Sequence, residues 1–106
     1  MAATFYVADS IEEAKTFNGA VDFDEDVQLK LYERQVEIPR QHQFIAQLDP
    51  FGDLIFSKDE VKALVEACDY LKKHFEDEDI ILFAEQLKEL CQTALERNKS
   101  VVALGD

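Results

Sequence analysis

Two consecutive apolar stripes at helical spacing fill the second half of this 106-residue sequence and constrain its fold more than any other feature. The first is Val61, Leu64, Val65, Cys68, Leu71 and Phe75; the second is Ile80, Phe83, Ala84, Leu87, Cys91, Ala94 and Leu95. Steps of mostly three and four residues place such side chains along one face of an α-helix, and that face must be buried against another layer. The boundaries are marked as well. Ser57 followed by Glu60 forms a capping box, and Phe56 and Val61 stand at the two positions of a hydrophobic staple. The acidic run Glu76 to Asp79 separates the helices, where carboxylates complement the dipole of a helix start. Asn98 suits a helix C-cap.

Shorter elements are expected before them. Thr4 to Ala8 is aromatic and β-branched and reads as a strand. Ser10 with Glu13 makes another capping box, and the brief helix that follows is stopped by Asn18-Gly19. In the next segment Val27, Leu29 and Leu31 alternate with polar or amphipathic residues, a period of two that predicts a strand. Val36 and Ile38 reverse the parity, so a β-bulge near Glu33 to Gln35, or a break into two strands, is required before Pro39. His42 to Leu48 is expected to pair with Asp53 to Phe56. Asp49, Pro50 and Gly52 fit a type I turn closed by a bulge with left-handed Gly52. The final "SVVALGD" reads equally as an edge strand or a loose tail. The resulting fold class is α+β, one domain over 1–106 in the order β-α-β-β-β-α-α. An antiparallel sheet carries the two long helices on one face.

Charge narrows the function. Asp and Glu number 23 against 11 Lys and Arg, a net charge of −12 that repels nucleic acid and anionic membrane and favours a basic partner. The opening "MAATFYVADSIEEAK" has no basic region followed by a long apolar core, so neither a secretory signal nor an anchor is expected. Cys68 and Cys91 form no CxxC pair and sit on the apolar stripes, which predicts buried thiols, a reducing compartment and a cytoplasmic location.

The residues offer little for catalysis. GxSxG, P-loop and dinucleotide fingerprints are absent, and the many carboxylates single out no acid–base pair. Asp22 to Glu33 can be laid on a calcium loop with Asp22, Asp24, Asp26 and Glu33 at its acidic positions. Val27 then stands where a glycine is needed and Lys30 faces a ligand position, so a solvated acidic loop is expected and metal binding ranks last. His42 and His74 have no Cys or His at ligand spacing. No cofactor and no enzymatic activity are expected.

A recognition surface remains. Asp22, Asp24, Glu25 and Asp26 form one acidic concentration, and Glu76, Asp77, Glu78 and Asp79 another. If folding joins them, they steer a cationic protein. Phe51 at the hairpin tip and Asp53 at the strand start complete the candidate contact set, with Phe51 as anchor. Asp49, Pro50, Phe51, Gly52, Asp53 and Phe56 resemble an Asp-Pro-aromatic-Gly-Asp hairpin of small bacterial proteins, a resemblance confined to this hairpin that implies no activity. The whole profile is similar in class to bacterial immunity proteins. That resemblance implies a small, acidic, cytosolic, non-catalytic inhibitor that blocks a toxin domain. The alternative is a structural or regulatory homodimer, with the long helices or "SVVALGD" meeting their counterparts across a two-fold axis.

Overall fold

The computed structural model describes residues 3–14, 20–46 and 52–105. Its elements are β1 (Ala3–Val7), α1 (Ile11–Ala14), β2 (Val21–Phe23), α2 (Glu25–Glu33), β3 (Leu54–Phe56), α3 (Lys58–His74), α4 (Glu78–Glu96) and β4 (Val101–Leu104). Two 3-10 segments, Gln35–Glu37 and Arg40–Ala46, link α2 to the chain before β3. The class is α+β: an antiparallel sheet in the order β2-β1-β4-β3, with α3 and α4 packed together.

The long helices start and stop as their sequences dictate. Ser57 accepts a hydrogen bond from the Glu60 N–H, and the Glu60 carboxylate accepts one from the Ser57 N–H, 3.0 Å away. Asp77 caps α4 by accepting from the N–H groups of Asp79 and Ile80. At the far end Asn98 takes a left-handed φ of 58°. Lys99 N–H bonds to the Ala94 carbonyl and Asn98 N–H to the Leu95 carbonyl, a Schellman closure that turns the chain back towards the sheet.

One sheet face carries the main core. Ala3, Phe5 and Val7 from β1 join Val101 and Ala103 from β4, Phe56 from β3 and Phe23 from β2 under the buried stripes of α3 and α4. Phe5 lies among three aromatic rings, with centroids 6.0 Å from Phe23, 6.3 Å from Phe56 and 6.2 Å from Phe83. The opposite face is smaller: Ala8, Ala14 and Val102 are buried with Tyr6, Ile11 and Leu104 around them, and α1 is the cover. Glu13 anchors α1 by accepting from the N–H of Asp9 and pairing with Lys99 just before β4. Its carboxyl is held below the usual range, first by Lys99 and then by the Asp9 N–H.

Three expectations are corrected. The segment read as a strand from Val27 is helix α2 followed by a 3-10 turn. Val27 and Leu31, four residues apart, are buried on one side, while Leu29 between them points out. Glu25 and Asp26 in the first turn and Lys30 in the last suit a helix dipole, and Gln, Leu, Lys and Glu are good helix formers. These outweigh a three-residue alternation. His42 to Ala46 is likewise 3-10, with Ile45 and Ala46 buried in succession, which a half-buried strand cannot do. β3 therefore takes its partner from β4, Phe56 opposite Val101, instead of from a hairpin. The turn expected at Asp49 to Gly52 falls on residues 47–51, which lie outside the described residues, as do Asn18 and Gly19. Finally, "SVVALGD" supplies β4, which is neither an edge nor a tail. It lies between β1 and β3, Val7 opposite Val101 on one side and Ile55 opposite Val102 on the other.

Candidate functional site

The two acidic concentrations, separated by about fifty positions in the sequence, converge on neighbouring elements. Phe23, at the end of β2, stacks its ring on Phe83 of α4 at 4.6 Å with an interplanar angle of 11°. That contact brings the start of α2 beside the first turns of α4. Lys30 then crosses the gap, with its ammonium 3.1 Å from Asp79 and 3.2 Å from Asp77. Arg34, one turn further along, lies over the Phe75 ring at 4.3 Å and pairs with Glu37 at 2.8 Å.

The carboxylates on this face have different tasks. Asp77 is held below the ordinary range first by its hydrogen bond to Lys30, with the Ile80 and Asp79 N–H groups adding to the effect and desolvation opposing it. Lys30 is raised by Asp79 and then Asp77. Asp77 and Asp79 are thus engaged in folding, while Glu76 and Glu78 stand exposed. Asp24 is the N-cap of α2 without a side-chain capping bond, and Glu25 and Asp26 occupy its exposed first turn. Asp22 is exposed on β2, at the mouth of a cleft of about 500 Å³ between β2 and α4 that also carries Glu89, Thr93 and Arg97. Asp77 and Asp79 bond Lys30, Glu37 pairs with Arg34, and Glu76 and Asp77 act on Arg34 electrostatically, while Asp24, Glu25 and Asp26 stand at the other end of α2 and Asp22 faces the second half of α4.

The Lys30–Asp77 bridge sets an acid-side expectation. A carboxyl whose folded pKa lies below its unfolded value contributes stability above the ordinary carboxylate range and loses it as pH falls below that range through the folded pKa. The stability gap between the wild type and Asp77→Asn, which keeps a capping oxygen, should be full above the ordinary carboxylate range and close as the pH falls below it through the lowered pKa of Asp77. Urea melts at a series of pH values check it.

Two candidates do not join this face. Asp53 accepts a hydrogen bond from the Gly105 N–H at 3.1 Å, tying the start of β3 to the end of β4. It stands at the β3 edge, across the sheet from β2. Phe51 lies outside the described residues.

The calcium-loop layout does not survive folding. Asp22 is in a strand and residues 25–33 are a helix, so its acidic positions cannot wrap one ion. Among the described residues, no group of three or more His, Cys, Asp or Glu is placed to hold a metal. Cys68 and Cys91 are buried, and burial raises both thiols, Cys91 to about 12, so neither is a thiolate at neutral pH.

Two arrangements had escaped the sequence reading. Both histidines meet at Tyr70: His74 stacks on its ring at 4.2 Å, His42 lies at 5.5 Å, and the Tyr70 hydroxyl donates to the Glu37 carbonyl. The i, i+4 spacing of Tyr70 and His74 foreshadows one contact, but only tertiary packing brings in His42. The second is a row of exposed apolar residues on α2 and the turn after it: Leu29, Tyr32 and Val36, with 55, 59 and 86% of their surface accessible. Its signal was the surplus of apolar residues in 27–36, more than one buried helix face requires.

No helix among the described residues is long and apolar enough to cross a membrane. Comparison with protein-family models, curated proteins and solved structures finds no match to this chain.

Proposed function

We propose that this chain is a non-enzymatic binding protein whose acidic face occludes a basic site on a protein partner, most concretely as an immunity-type inhibitor of a toxin domain. The observation that supports this reading is the packing of α2, whose start carries Asp24, Glu25 and Asp26, beside the acidic start of α4, linked by the Lys30 bridges and the Phe23–Phe83 stack. Asp24, Glu25, Asp26, Glu76 and Glu78 are all exposed to solvent. Carboxylates so arranged present the charge of a phosphate-rich ligand to a cationic cleft, and they accelerate encounter with it.

The homodimer alternative loses both of its motives. The helix stripes are consumed by the chain's own core, and β4 is flanked on both sides. Affinity capture from cells that carry the protein, followed by binding measurements with the purified partner, tests the proposal. Replacing Asp24, Glu25, Asp26, Glu76 and Glu78 with their amides should slow association by about 10-fold or more at low salt and flatten its salt dependence, with the melting temperature nearly unchanged. Wild-type binding that is indifferent to ionic strength would remove the electrostatic mechanism.

A further inference from the structure

A helix that packs on one side needs one apolar face, and α2 has two. Val27 and Leu31 occupy the buried face. Leu29 and Tyr32 follow Glu25 at steps of four and three on the opposite side of α2, and Val36, exposed on the 3-10 turn that follows the helix, extends the apolar surface. Isolated exposed apolar residues are ordinary on protein surfaces, but three of them within eight positions on a nine-residue helix and the turn after it are not required by its packing. The neighbouring row on the same helix, Asp26, Lys30 and Glu33, borders the acidic start of α4 through the Lys30 bridges.

We infer that the Leu29–Tyr32–Val36 ridge is the anchor of the interface, seated in an apolar groove of the partner whose rim is basic. This rests on the binding function proposed above and specifies its contact residues. Charge complementarity selects the occupant. Glu25 heads the ridge and Asp26 and Glu33 flank it, so a groove edged by Lys and Arg meets opposite charge as the apolar side chains enter. A second copy would bring a net charge of −12 against its equal, with like-charged rims facing each other. Tyr32 supplies what an interface centre favours: a large rigid ring, few rotamers to freeze and a hydroxyl able to remain wet. Binding here divides into two parts, rim carboxylates acting on the association rate and the ridge acting on residence time.

The test begins with full-length chains carrying a photoreactive benzophenone amino acid at position 32 or, as a remote control, at exposed position 62 on α3. These are irradiated in extract of the source cells, and the protein crosslinked from position 32 but not 62 is identified and purified. Its affinity is then measured for the wild type, for the Leu29→Gln/Tyr32→Gln/Val36→Gln variant, and for the amide variant described above. The ridge variant should bind about 100-fold more weakly, mostly through faster dissociation, while keeping the wild-type salt dependence and melting temperature. No protein crosslinked selectively from position 32 would overturn the inference. So would a ridge variant that binds like the wild type; if the amide variant is still weakened, the acidic face stands and only the ridge falls. Indifference of binding to both sets of substitutions would remove both proposals. A wild-type chain that light scattering shows to be a dimer, with the ridge variant a monomer, would assign the ridge to self-association and overturn the basic-groove occupant.

Discussion

A chain stopped after Ser100 is expected to lose cooperative unfolding altogether. The six residues removed look dispensable in the sequence, yet four of them are β4, with Val101, Val102 and Ala103 buried. Their loss strips β1 and β3 of their shared partner and splits the sheet between them. Each buried valine alone is worth about 1.5–3 kcal/mol, and the backbone groups left unpaired within the core add to the cost. A domain of this size has only about 5–15 kcal/mol in total. Near-ultraviolet circular dichroism and a thermal melt decide it: a flat, transition-free trace is expected. A cooperative melt within a few degrees of the full chain would show that β4 does not hold the sheet together.

Phe5→Ala should have the largest effect of any single core substitution. The ring is fully buried and lies among Phe23, Phe56 and Phe83, so it joins both outer strands to α4. Truncation removes the transfer free energy of the ring and leaves a cavity that three other rings cannot collapse to fill. The expected loss is about 3–5 kcal/mol, measured by urea denaturation. Leu82→Ala provides the contrast. Leu82 is adjacent in sequence to the buried Phe83 but more than half exposed, and its removal should change stability by less than about 0.5 kcal/mol. Phe5→Ala also tests the site, because the Phe23–Phe83 stack that joins the two acidic segments is part of the same aromatic group. A loss near 1 kcal/mol would mean that the surrounding rings close over the gap.

The parts legible in advance were those whose causes are local. The α3 and α4 stripes, the Ser57–Glu60 box and the Asn98 cap involve residues within a few positions of one another, and each appears in the structure. The first strand and the buried state of Cys68 and Cys91 were legible for the same reason. The acidic segments could be named from the sequence, but not their meeting, which depends on a ring stack between residues sixty positions apart. The error at 27–38 cost the most. It hid the ridge, because the same alternation that suggested a strand face becomes, on a helix, one residue inside and the next but one outside.

By itself, then, the sequence determined the α+β class, the two long helices with their ends, and a strongly acidic surface. Tertiary structure decided which strand lies beside which, and that 25–33 and 40–46 are helical. A three-residue strand such as β2 carries too little local preference to define itself; it exists because β1 offers a ladder. β4 becomes a central strand because its partners lie almost a full chain length away in sequence, at β1, and a loop-closure cost of that kind is repaid only when the whole core assembles. The same assembly turned Val27 and Leu31 towards α4, and left Leu29, Tyr32 and Val36 facing water.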